Sequence, residues 1–76
     1  MTKPREYDCG TWNDFAGINR ITVRERGDGL FDVIHVRYVS TVAGMQKSES
    51  PCGVYRDLAQ AREAGWALWR QLSDIG

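Results

Sequence analysis

Seventy-six residues with ten basic and ten acidic side chains leave room for one small domain and no second. A net charge of zero counts against a dedicated nucleic-acid binder, which is clearly basic, while leaving room for a local basic patch. Apolar residues at 42% and three tryptophans argue against a disordered chain, and a core this small needs aromatic bulk, a staple or a partner.

The chain opens with MTKPREYDCGTWNDFAG. No apolar run follows its basic residues and no long apolar stretch comes later, so neither a signal peptide nor a membrane span is expected, and the cytoplasm is the expected location. Pro4, Gly10 and Gly17 interrupt any period in residues 1–17, where Tyr7, Trp12 and Phe15 appear without helical spacing. Three aromatics in an irregular arm predict that it lies across the domain and covers one edge of the core.

Residues 18–26, INRITVRER, alternate as a strand does, and residues 30–41 are β-branched and aromatic, which predicts a longer strand. Gly27-Asp28-Gly29 between them is a hairpin signal, because Asp-Gly tolerates the positive φ of a tight I′ turn. Register follows from asking which pairing sorts the side chains. With Arg26 opposite Phe31, Ile21 and Val23 share a face with Ile34, Val36 and Tyr38. The other face then collects Arg20, Thr22, Arg24, Arg26, Phe31, Val33, His35 and Arg37. Slipping by one residue mixes arginines into the apolar face, which the two-residue period of a sheet penalises along its whole length. Arg20, Arg24, Arg26 and Arg37 are therefore expected on one face.

Val42-Ala43-Gly44 reads as a second turn and Met45 to Cys52 as a weaker third strand, completing a sheet over residues 18–52. A three-residue turn there places Glu49 beside Arg37 outside, and Ser48, Ser50 and Cys52 inside, where small side chains leave room for a helix bearing large ones. Pro51 and the serines suit an edge strand.

Residues 57–73 predict an amphipathic helix. Asp57 followed by Gln60 resembles a capping box with Asp57 as N-cap. Leu58, Ala61, Gly65, Leu68, Trp69 and Leu72 form one stripe, and Gln60, Glu63, Ala67, Arg70 and Gln71 lie opposite. Gly65 inside that stripe, despite a cost of about 1 kcal/mol, predicts close approach of the sheet backbone or of an aromatic ring. Trp66 falls at the stripe's margin, within reach of Arg62 and Arg70 for stacking.

No catalytic, cofactor-binding or metal-ligating residues are expected. His35 is the only histidine, and its nucleophilic partner would be Cys9 or Cys52; the expected register puts Cys52 on the opposite sheet face. Neither C-x-x-C nor H-x-x-x-H spacing occurs, and Gly27-Asp28-Gly29 lacks the Lys-Ser/Thr and helix of a phosphate loop. Two cysteines do not make a disulfide framework. Reduced thiols, one or both buried, are the expected state, with a Cys9–Cys52 bridge between arm and domain as the alternative.

Binding fits better. The expected outer face mixes arginine with His35, Phe31 and Val33, which suits an acidic, partly apolar protein surface or phosphates. Arginine rather than lysine supplies most of the positive charge, favouring planar bidentate contacts. The alternative is a solvated face on which arginine stems cover Phe31 and Val33. A sheet with one covering helix leaves a face open or dimerises through it. The helix's outward side, with Trp66, Arg62, Arg70 and Glu63, competes as a surface. The candidate partner-binding residues are Arg20, Arg24, Arg26, Phe31, His35, Arg37 and Trp66.

The order strand–strand–strand–helix over roughly residues 18–73 resembles two groups. One is the arm-binding domain of phage-type integrases, in which a three-stranded sheet packed on one helix enters the DNA major groove. The other is the assortment of short proteins that phages and mobile elements encode against host machinery, such as anti-CRISPR proteins. The second resemblance implies a single non-enzymatic protein-binding domain that occludes a site on a larger complex, such as a CRISPR-Cas effector, in the host cytoplasm. The first implies nucleic-acid binding through the arginine-bearing face. A homodimer closing one sheet face or edge fits beside either. The expected fold is α+β: a three-stranded antiparallel sheet, one C-terminal amphipathic helix packed on one face, and an irregular aromatic N-terminal arm.

Overall fold

Four strands and a helix follow one another along the chain: β1 (Glu6–Asp14), β2 (Gly17–Glu25), β3 (Phe31–Thr41), β4 (Gly44–Tyr55) and α1 (Leu58–Ile75). The computed structural model describes residues 5–15 and 17–75. The strands form one antiparallel sheet in the order β1-β2-β3-β4, so every sheet neighbour is also a sequence neighbour. α1 lies on one face, and the molecule spans 14 Å along its shortest axis, the depth of one helix on one sheet.

The class and the C-terminal helix match the sequence, but the sheet has four strands rather than three. The added strand is β1, within the stretch expected to be irregular; residues 1–4 of that stretch, and Ala16, lie outside the described residues. A bulge hid its alternation. Pairing passes from Asp8 opposite Thr22 to Gly10 opposite Ile21, leaving Cys9 as the inserted residue. Tyr7 and Trp12, opposite Val23 and Asn19, therefore share the helix side despite an odd spacing in sequence.

The β2–β3 register also differs from expectation. Glu25, not Arg26, lies opposite Phe31. The loop decides this: Arg26 N–H donates to the Leu30 carbonyl at 3.0 Å, closing three residues rather than an even number. Gly27 and Gly29 adopt φ of +82° and +85°, and Asp28 Oδ1 accepts from Leu30 N–H at 3.1 Å. A shift of one residue turns β3 over, so Phe31, Val33, His35 and Arg37 face the helix side and Ile34, Val36 and Tyr38 face away. Both sets contain apolar residues, which is why hydrophobic sorting did not distinguish them. Ile34 and Val36 are buried with no helix above them. Thr22 and Pro51 flank the first, and Arg20 and Glu49 the second.

The shared arginine face consequently does not form. Arg20 and Arg24 lie on the helix-free face with Val36 and Asp32 beside them, Arg37 lies on the helix side opposite Asn19, and Arg26 stands in the loop after β2. The β3–β4 turn is likewise one residue shorter than expected, with Thr41 opposite Gly44. Glu49 is then opposite Val36 rather than beside Arg37, while Ser48 and Ser50 do face the helix side, opposite Arg37 and His35.

The helix starts where its cap predicts: Asp57 Oδ1 accepts from Ala59 N–H at 3.0 Å. Its apolar stripe packs on Cys9, Ile21, Val23 and Val33, with Ala61 fully buried at the centre. Gly65 does mark a close approach, to a side chain rather than to backbone or a ring, since a Cβ there would lie 2.6 Å from Cys9 Sγ. Gly10 is equally tight, because a Cβ would lie 2.6 Å from the Trp69 ring, whose Nε1–H donates to the Thr11 carbonyl at 3.3 Å. The β1 bulge is thus the seat on which the helix rests.

Candidate functional site

α1 packs chiefly on β1, β2 and β3 and reaches β4 least. On β4 the helix side carries Ser48, Ser50 and Gly53 between Gln46 and Tyr55, and these three small residues leave space beside the helix. The result is a trough along the helix side of β3. One hollow of about 290 Å³ is lined by Val33, Cys52, Tyr55, Ala64, Leu68 and Gln71 among others. A second, of about 440 Å³, is lined by Trp12, Asp14, Phe15, Asn19, His35, Arg37 and Leu72. Val33, His35 and Arg37 alternate along one strand face, and Leu68 and Leu72 are a turn apart, so the two hollows adjoin.

The polar end of the trough is organised around Asn19, which is fully buried. Its Nδ2–H donates to Asp14 Oδ2 at 3.0 Å. Its Oδ1 accepts from Arg37 Nε–H at 3.1 Å and meets His35 Nε2 at 2.9 Å. An amide oxygen only accepts, so His35 Nε2 carries the proton and Nδ1 presents its lone pair. Arg37 Nη2 also pairs with Asp14 Oδ2 at 3.0 Å, and Asp14 Oδ1 accepts from Gly17 N–H at 3.0 Å across the β1–β2 turn. The His35 ring stacks on Trp12 with centroids 5.4 Å apart. Burial, reinforced by the Arg37 charge and opposed by Asp14, lowers the His35 pKa below its ordinary value of 6.5, so the imidazole is neutral near pH 7. The Asp14–Arg37 pair cancels its own charge, leaving a prebuilt, nearly neutral polar floor beside the Trp12 ring, with Phe15 at the rim.

Of the residues singled out from sequence, His35 and Arg37 meet in this cluster, and Phe31 lies further along the same strand face, half-buried against the core. Arg20, Arg24, Arg26 and Trp66 do not join them. Arg24 makes a two-point contact with Glu49 at 2.7 and 3.3 Å and reaches Glu6 at 3.6 Å. The hydrogen bond with Glu49 stabilises both charged forms, raising the arginine pKa and lowering that of the carboxylate. Arg26 lies 3.5 Å from Asp28 and 3.8 Å from Asp32. Trp66 is 40% exposed on the helix, with the Arg62 guanidinium 5.0 Å from its ring centre. Asp14, Asn19, Trp12 and Phe15 were missed. Their signal was Asn19 itself, a polar residue in the same alternating stripe as Ile21 and Val23, where an inward amide must find partners.

The thiols are free, Cys9 buried and Cys52 exposed, so the bridged alternative does not form. Cys52 sits at the bulge opposite Val33 and Ile34 and lines the helix-side hollow, on the same side as His35 rather than the opposite one, because β3 is turned over. Its Sγ donates to the Ser50 carbonyl at 3.4 Å. Cys9 Sγ faces the Arg62 carbonyl at 3.8 Å, and burial pushes its thiol pKa up. No hydrogen bond among the described residues joins His35 to either thiol. Among the described residues no group of three or more His, Cys, Asp or Glu side chains could hold a metal ion, and no helix is long and apolar enough to cross a membrane.

Comparison with known proteins finds no matching family model, no similar curated protein and no similar solved structure.

Proposed function

We propose that this chain is a non-enzymatic protein-binding module that seats part of a partner in the trough beside α1, anchored at the Asp14–Asn19–His35–Arg37 cluster. The observation that carries this reading is the fully exposed Phe15 at the rim of a hollow whose polar groups Asn19 already holds in place. Fixed polar groups need little ordering on association, so more of the contact energy appears as affinity. Tryptophan and arginine around a preformed pocket, with an apolar extension alongside, match the composition of binding hot spots. Because Asp14 balances Arg37, and Glu49, Asp28 and Asp32 balance Arg24 and Arg26, the site favours a neutral amphipathic side chain of a protein over a phosphate backbone. The narrower form of the proposal, a phage-type inhibitor that occludes a site on a larger host complex such as a CRISPR-Cas effector, draws its support from chain size and helix-on-sheet architecture.

The test is affinity capture with the intact chain, followed by calorimetry on the purified partner. Phe15→Ala and Arg37→Ala are each expected to weaken binding by at least about tenfold, the scale of one hot-spot contact. Arg20→Ala, on the helix-free face, should leave it unchanged. Equal affinity for all three variants would overturn the trough as the contact surface. Tight low-salt binding to duplex DNA that collapses as salt rises would instead support nucleic acid as the ligand.

A further inference from the structure

β4 is the longest strand and closes one side of the sheet, and residues 44–52 are exposed throughout. Its two-residue loop closes on Thr41 and Gly44. The closing pair of such a loop is hydrogen-bonded, and the pairs alternate from there. The peptide groups of Gly44, Gln46, Ser48 and Ser50 therefore face β3, and those of Met45, Lys47, Glu49 and Pro51 face the open edge. Pro51 fits this placement, since its missing N–H removes nothing from the β3 ladder. Among the described residues no strand pairs with this edge, which presents the donors and acceptors of Met45, Lys47 and Glu49.

We propose that two copies of this chain associate through their β4 edges, antiparallel, with Ser48 opposite the second copy's Ser48, forming a continuous eight-stranded sheet. Charge selects that register. On the helix-free face it sets Lys47 against the second copy's Glu49, and Glu49 against its Lys47, with Met45, 63% exposed in the single chain, against Pro51 on either side. Moving the two-fold axis one residue toward the turn puts Lys47 against Lys47, and one residue the other way puts Glu49 against Glu49. Like charges directly opposite one another destabilise a strand pair, and opposite charges stabilise it. On the helix side the facing residues are Ser48, Gln46 and Ser50, small enough for the edges to meet, and α1 is seated away over β1–β3, so the helices do not collide. The contact uses the strand edge rather than the trough, and it stands whether or not the proposed partner-binding reading does.

Sedimentation equilibrium on the whole chain tests this directly. The wild type is expected to reach twice 8.6 kDa as concentration rises; a monomer mass up to about 1 mM, the weak end of specific association, overturns the proposal. Lys47→Glu alone and Glu49→Lys alone each place like charges across the two-fold, and each is expected to be monomeric with unchanged far-UV circular dichroism. Arg24 keeps Glu6 as a partner at 3.6 Å when Glu49 is replaced. Mixing the two variants restores both opposite-charge pairs and should regenerate a dimer containing one copy of each. Variants that remain dimeric, or a mixture that fails to associate, would overturn the pairing. Lys47→Pro, which removes an edge-facing N–H without touching the β3 ladder, should also yield a monomer, whereas an unchanged dimer would place the contact elsewhere.

Discussion

Asn19 Oδ1 lies 2.9 Å from His35 Nε2 and is shared with Arg37 Nε at 3.1 Å. One buried amide thereby fixes the imidazole tautomer, the guanidinium orientation and, through Nδ2, the Asp14 carboxylate. His35 and Arg37 are only partly buried and can turn to water if the amide is lost, whereas Asp14 keeps Gly17 N–H and Arg37. Asn19→Ala is therefore expected to destabilise the fold by about 2 kcal/mol, within the range for breaking a buried hydrogen-bonded group. In a domain of this size that is a fall of roughly 10 °C in Tm. Urea unfolding of the variant, with far-UV circular dichroism, measures it.

The same geometry sets the response to pH. His35 titrates below its ordinary 6.5 because of burial and Arg37. Between its folded pKa and 6.5 the unfolded chain binds more protons than the folded one, so stability rises with pH through that window. The contribution is complete above 6.5 and is lost as pH falls toward the folded pKa. Arg37→Gln removes the repulsive charge and Asn19→Asp adds an attractive one, so both variants should raise the His35 pKa, as read from the ring proton resonances in an NMR titration. A pKa unmoved by either substitution would mean that the cluster does not govern the ring.

How much of this was legible in the sequence depended on whether a local signal had one reading or two. The helix had one: its apolar stripe, the Asp57 cap and the misplaced Gly65 all indicated the same segment and the same face. The hairpin loop had two. Gly-Asp-Gly supports closure over an even or an odd number of residues, and β3 carries Val33 on one face and Ile34 and Val36 on the other, so patterning accepted the wrong alternative. That single residue separated Arg37 from Arg20 and Arg24 and brought it to Asn19. β1 was illegible for a different reason. The Cys9 bulge adds a residue between Tyr7 and Trp12, and a two-residue period broken in the middle looks like none.

The two thiols should report this geometry chemically. Cys52 is exposed at the β4 bulge, and Cys9 is buried under α1 with its pKa pushed up by that burial. A disulfide reagent such as Ellman's is expected to titrate Cys52 rapidly in the native protein and Cys9 only at the rate of unfolding, since the thiolate is the reacting form. Denaturant should convert the slow phase into a fast one. Two fast thiols under native conditions would show that α1 does not cover the β1 bulge.

The contact between Gly65 and Cys9 offers the sharpest test of how the helix is seated. Alanine at an exposed helix interior is favoured over glycine by about 1 kcal/mol, so Gly65→Ala would stabilise a helix that met nothing there. Here the new Cβ would lie 2.6 Å from Cys9 Sγ, with Cys9 Cβ at 3.3 Å and Ile21 Cγ2 at 3.5 Å. Overpacking of this kind costs about 1–3 kcal/mol, so the single substitution should be net destabilising, by roughly 1 kcal/mol. Removing the sulfur relieves the clash: in a Cys9→Ala background the alanine at position 65 occupies space that Sγ has left. The double variant is therefore expected to be more stable than Gly65→Ala alone, although Cys9→Ala alone loses buried surface. That non-additivity, measured in a double-mutant cycle by urea unfolding, is the signature of direct contact. Strict additivity would mean that the helix does not press on the bulge, and the register built on that seat would fall with it.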